Sequence, residues 1–87
     1  MASYKLFLNR SAEKELRKIG KPDVKRVVEA IHALAHNPRP PGVRLLKPER
    51  HWRVRQGDYR ILYEIDDAAS EITVIRVGHR REVYDDR

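Results

Sequence analysis

Arginine recurs at Arg53, Arg55, Arg60, Arg76, Arg80 and Arg81 of this 87-residue chain, with His51 and His79 close to the ends of the series and Tyr84 just behind it. A guanidinium is a planar, always-protonated fork that meets a phosphate or carboxylate through two parallel hydrogen bonds, a geometry the point charge of lysine does not copy. The distribution is lopsided. Residues 1–38 carry five Lys and three Arg, whereas residues 39–87 carry one Lys and ten Arg. A genome-wide preference for arginine codons would act on both parts alike, so the later residues stand out as an anion-facing region. A formal net charge of +6 and a pI near 10.0 agree with a polyanionic partner: nucleic acid, an anionic membrane surface or an acidic protein. The competing account is that these arginines only pair, exposed, with Glu64, Glu71, Glu82 and the aspartates, contacts worth little individually.

Other chemistries find little footing. The absence of cysteine excludes thiolate nucleophiles, disulfides and Cys-based zinc sites, and agrees with a reducing, cytoplasmic setting. There is no Gly-rich phosphate loop, no HExxH and no carboxylate pair in a persuasive setting, so nucleotide hydrolysis, zinc proteolysis and glycoside hydrolysis lack support. His32 and His36 stand four apart, a spacing that can bind metal on a helix, but no third ligand accompanies them and surface histidines are the expectation. No metal or cofactor is expected. The opening MASYKLFLNR lacks the apolar core of a secretory signal, and no apolar run approaches the roughly 18 residues of a membrane span.

The elements that must carry the arginines follow from periodicity. Residues 4–9 alternate, with Tyr4, Leu6 and Leu8 on one side, as a first strand. Asn9 or Ser11 can cap a helix carrying Ala12, Leu16 and Ile19, with Gly20 placed to end it. Pro22 suits the first turn of a second helix whose Val24, Val27, Val28, Ile31, Leu34 and Ala35 form an apolar stripe stopped by Asn37-Pro38. Residues 38–50 hold four of the five prolines and read as a loop with a short extended piece at 43–46. Three strands are predicted at 51–56, 59–66 and 71–79, joined by polar connections short enough to make antiparallel neighbours. The expectation is one α+β domain spanning residues 1–87, in the order β-α-α-β-β-β, with a helical hairpin packed on a small, mainly antiparallel sheet.

Strand side chains alternate between faces, so parity predicts neighbours. With Trp52 and Val54 toward the helices, His51, Arg53 and Arg55 face away. On the next strand Tyr59, Ile61, Tyr63 and Ile65 are buried, leaving Arg60, Leu62 and Glu64 outward. Burying Thr73, Ile75 and Val77 then turns Val74, Arg76, Gly78 and Arg80 outward and His79 inward. One assumption thereby collects Arg53, Arg55, Arg60, Arg76 and Arg80 on one surface. Gly78 there either admits the backbone of a ligand or marks a bulge. Trp52, Tyr59 and Tyr63 are expected in the core.

GDYRILYEIDD followed by ITVIRVGHRREVY resembles the RelE branch of the RelE/ParE toxin superfamily, and the likeness spans nearly the whole chain. It implies a compact α+β toxin of a type II toxin–antitoxin pair, an endoribonuclease that cuts mRNA in the ribosomal decoding site and inhibits translation, working in the cytoplasm. It also implies a cognate antitoxin that covers the active surface, with the toxin alone monomeric and higher assemblies made through the antitoxin. The family's active-site positions fall on Arg53, Arg60, Arg80 and Tyr84, with Arg55, Arg76, Arg81 and His51 as RNA-holding neighbours. The best-known members carry lysines where this chain has His51 and Arg53, which leaves the proton acceptor open.

Cleavage without a metal requires the 2′-hydroxyl to lose a proton, the phosphorus to gain negative charge and the 5′-oxygen to leave with a proton. Arginine suits the middle task and, being always protonated, is a poor proton carrier. Arg60 and Arg80 are thus assigned to charge stabilisation, and Arg53 and Arg55 to positioning. Tyr84 either stacks on a base or exchanges a proton, or packs on the sheet. His51 is a candidate base, against which stand the neighbouring cations and the alternative of an exposed edge histidine. Two further functions remain: a ParE-like DNA gyrase inhibitor without nuclease activity, and a plain RNA-binding module or inactive toxin.

Overall fold

The structure, a computed structural model, describes residues 3–47 and 49–79. Strand β1 (Lys5–Leu8) leads into helix α1 (Arg10–Arg17), helix α2 (Asp23–Leu34), and strands β2 (Arg44–Leu46), β3 (His51–Gln56), β4 (Tyr59–Asp66) and β5 (Glu71–His79). The sheet order is β1-β5-β4-β3-β2, with β1 parallel to β5 and the other pairs antiparallel. This is the expected α+β arrangement with one addition. The extended piece in the proline-rich segment pairs with β3 and becomes an edge strand.

Local chemistry sets the helix limits. Asn9 caps α1, its side-chain oxygen accepting the Ala12 N–H at 2.9 Å, while its own N–H donates to the Val74 carbonyl at 3.0 Å. The cap therefore also moors the helix start to β5. Ala12 is the fully buried residue of this short helix, with Leu16 packed beside it, and α2 contributes Val27, Ile31 and Leu34 at intervals of four and three. They close over Ile61, Tyr63, Ile72, Val74 and Val77 of the sheet, each Val, Leu or Ile contributing about 1.5–3 kcal/mol by its burial. Gly57, at φ +61°, opens the two-residue turn between the paired Gln56 and Tyr59, a position that demands a positive φ. Among the described residues no helix is long and apolar enough to cross a membrane.

Strict alternation fails once, on β5. Ile72 and Val74 lie in the core, where parity expected Thr73 and Ile75, because the β4–β5 register shifts between Leu62 and Tyr63: Tyr63 pairs with Val74 and Leu62 with Arg76. Ile75 is the extra residue. An irregularity of this kind puts two residues of one strand opposite one of its partner and reverses parity beyond it. Val77, on the near side, is buried as expected. Leu8, expected inward, is 44% exposed where the chain turns from β1 into α1.

The segment after α2 is tied to the sheet by polar contacts. Tyr63, fully buried, donates its hydroxyl to the Pro38 carbonyl at 2.6 Å, and desolvation pushes its ionisation well above the usual tyrosine range. Arg39 pairs with Asp67 at 2.9 Å and stacks over Trp52 with its guanidinium carbon 4.9 Å from the ring centroid, while Tyr4 donates to the same aspartate at 2.7 Å. Hydrogen bonds from Arg39 and then from Tyr4 hold the Asp67 carboxyl below its ordinary range.

Two outcomes are expected. Tyr63→Phe leaves the Pro38 carbonyl without its donor and should lower unfolding stability by about 1–3 kcal/mol in urea titrations, with an unchanged slope. Because the folded Asp67 binds its proton less readily than the unfolded one, its stabilisation is complete above the ordinary carboxylate range and fades as pH falls below about 4. Asp67→Asn should accordingly lower Tm at neutral pH, and the difference from wild type should shrink as both are acidified.

Candidate nucleic-acid interface

The sheet face away from the helices is built in rows across the strands. In one row Arg44 lies opposite Arg53, Arg53 opposite Leu62, and Leu62 opposite Arg76. In the next, toward the β3–β4 turn, Arg55 lies opposite Arg60 and Arg60 opposite Gly78. Directly opposed residues on neighbouring strands stand about 4.5–5.5 Å apart at Cα, so Arg44–Arg53 and Arg55–Arg60 place four arginines at adjacent cross-strand positions.

Burial differs sharply within the face. Arg53 and Leu62 are each only 8% exposed, although neither belongs to the helix-side core, whereas Arg55 is exposed and Arg60 half-buried. Leu62 therefore provides an apolar floor between arginine stems, which suits guanidiniums that bury their methylenes and present their forks. Gly78 is buried opposite Arg60 and does not coincide with the β4–β5 irregularity. A hollow of about 590 Å³ at the β2–β3 edge is bordered by Gly42, Arg44, Arg53 and Arg55.

Charge changes along the strands. Beyond the two arginine rows come His51 and Glu64, with His51 Nε2 3.2 Å from Glu64 Oε2, and then Asp66 opposite Glu71. The face is thus basic at the β3–β4 turn and acidic at the β4–β5 turn, with the imidazole–carboxylate pair at the border.

Of the residues singled out from the sequence, His51, Arg53, Arg55, Arg60 and Arg76 share this face. Arg76 also turns outward over the β5 edge, where its guanidinium meets Glu15 of α1 at 2.9 Å; the other Glu15 oxygen accepts the Val77 N–H at 2.8 Å. His79 lies toward the helices, its ring edge-on to Tyr59 at 5.7 Å between centroids. Arg80, Arg81 and Tyr84 lie outside the described residues. Sequence reasoning missed Arg44, whose alternation with Val43 and Leu45 was the available signal amid the prolines, and Glu15, whose partners are sixty residues away.

A family model described as the ParE toxin of the type II toxin–antitoxin system parDE matches residues 6–84. Toxin RelG of Mycobacterium tuberculosis is 32% identical over 87 residues, spanning 93% of this chain and 95% of RelG. The toxin–antitoxin complex RelBE2 of the same organism contains a chain that matches at 30% identity and TM-score 0.81, covering 92% of this chain and 94% of that one. The isolated Escherichia coli RelE toxin, at 24% identity, shares the fold with TM-score 0.78 over 88% of this chain and 84% of its own. With the matched model running from β1 to beyond β5, and a relative similar over almost its full length, the chain belongs to the RelE/ParE family of type II toxin–antitoxin toxins.

Proposed function

We propose that this toxin is a metal-independent, ribosome-dependent endoribonuclease that cuts mRNA in the decoding site, stops translation in the cytoplasm and is held in check by a cognate antitoxin. The observation that carries the reading is the gathering of Arg44, Arg53, Arg55 and Arg60 in two neighbouring cross-strand rows of one sheet face, beside Gly78. Guanidiniums gathered on one face can meet an anion through paired hydrogen bonds, and a polyphosphate backbone is such an anion. The similarity to RelG and to the RelBE2 toxin chain supports the same reading, and the solved RelBE2 complex supports an antitoxin as partner.

In this mechanism Arg60 and Arg80 stabilise the charge that develops on phosphorus, and Arg53 and Arg55 set the RNA backbone in place. Arg76, Arg81 and His51 line its path. Tyr84 stacks on a base or exchanges a proton. Preorganised donors in a water-poor site act more strongly than in bulk water, and the half-buried Arg60 above the Leu62 floor meets that condition.

The family match to a ParE toxin supports a second reading, a ParE-like toxin, which we read as an inhibitor of DNA gyrase without nuclease activity. One experiment separates the two. Added to programmed ribosomes, the purified toxin should produce codon-phased transcript ends, and Arg60→Ala should slow single-turnover cutting by about 10²–10³-fold. Intact transcripts together with blocked supercoiling would select the gyrase reading. A second measurement addresses the face itself. Affinity for a single-stranded RNA should fall with salt at a log–log slope of about −0.7 per phosphate contacted, and Arg55→Ala should flatten that slope by about one contact. Salt-independent affinity would count against the arginine rows.

A further inference from the structure

The arginine rows cannot take a proton from a 2′-hydroxyl, since every guanidinium in them stays protonated at working pH. On the same face, one residue along from Trp52 and two from Arg53, stands a group that can. His51 is 26% exposed at its side chain, and its Nε2 lies 3.2 Å from Glu64 Oε2 across the β3–β4 ladder. An ionised carboxylate only accepts, so the hydrogen of the neutral ring sits on Nε2 and Nδ1 becomes the ring's acceptor.

We propose that Glu64 is a positioning residue that orients His51 as the proton acceptor for RNA cleavage, an inference that rests on the nuclease reading above. The charges facing His51 make the carboxylate necessary. Arg53 follows on β3, Arg44 lies one row away on β2, Lys47 succeeds the Leu46 directly opposite, and Glu49 and Arg50 precede the strand. From β4, Glu64 faces the ring, with Thr73 of β5 beyond it. Among so many cations, an imidazolium formed during the reaction is neutralised by Glu64 alone of the groups within hydrogen-bond reach among the described residues.

The step balances without a co-reactant. The 2′-O–H bond breaks and its proton passes to Nδ1. The 2′-oxygen bonds to phosphorus, the phosphorus–5′-oxygen bond breaks, and the 5′-oxygen takes a proton from water. A 2′,3′-cyclic phosphate and a 5′-hydroxyl result, and the imidazolium returns its proton to solvent.

The test is a pH profile of single-turnover cleavage on programmed ribosomes, using the full chain. Wild type should show a rising limb as the ring loses its proton. His51→Ala should lose about 10²-fold or more in rate together with that limb, and added imidazole should restore part of it. Glu64→Gln, nearly isosteric and on the surface, should lower the plateau at least about tenfold and move the limb toward lower pH, with Glu64→Asp intermediate. A merely structural Glu64 would not move the limb. A Glu64→Gln profile that superimposes on wild type, or a His51→Ala variant cutting at the wild-type rate, overturns the inference while the nuclease reading stands. Wild-type toxin that leaves transcripts intact overturns both, before any variant is compared.

Discussion

The alternating pleat of β4 carries both halves of this molecule. Ile61 and Tyr63 point one way and are fully buried beneath the helices; Arg60, Leu62 and Glu64 point the other way and form the middle of the charged face. A strand cannot shift by one residue here without driving Arg60 into the core and Ile61 into water, so the hydrophobic effect that fixes the helix side also fixes the register of the arginines. The chain's stability and the placement of its arginines are in that sense one constraint read from two sides.

That constraint also sets which arginines stand opposite one another. Arg44–Arg53 and Arg55–Arg60 are opposed because the ladder opposes them, and Arg53 is nearly as buried as the core. The polarity of the face then follows from which residues occupy successive outward positions of β4: arginine near one turn, glutamate in the middle, aspartate near the other. His51 and Glu64 meet where the two fields join, which is where an imidazole can find a carboxylate and still lie beside the arginines.

The helices stabilise this arrangement from behind and from the side. Asn9 links the start of α1 to the Val74 carbonyl, and Glu15 reaches the stretch of β5 that β1 is too short to cover, taking the Val77 N–H and the Arg76 guanidinium together. Among the described residues, the part of the β5 edge that β1 does not pair is met by a carboxylate, and an arginine of the charged face is steered toward that edge. At the opposite end, Arg39 stacks on Trp52 and pairs with Asp67, and Tyr63 holds Pro38, so the proline-rich segment is drawn close enough for Arg44 to join the sheet.

The bounds of β3, β4 and β5 were legible in the residues themselves, because runs of alternating apolar side chains separated by Gly57-Asp58 and by Asp67 to Ser70 admit few other structures. So was the common face of Arg53, Arg55 and Arg60, which needs only the period of a strand. The exchange of Ile75 for Val74 in the core was not, since a one-residue irregularity leaves no mark where apolar residues stand at both parities, as Val74 and Ile75 do, and is settled by how Ile72 and Val74 fit beneath α1 and α2. Nor were the pairing of the 44–46 piece with β3, the Glu15 contacts or the His51–Glu64 pair. Local sequence determined which side chains alternate and where the strands stop, because those depend on neighbours one to four residues away. Only the folded sheet decided which charges face one another, because that depends on register between segments brought together by burial.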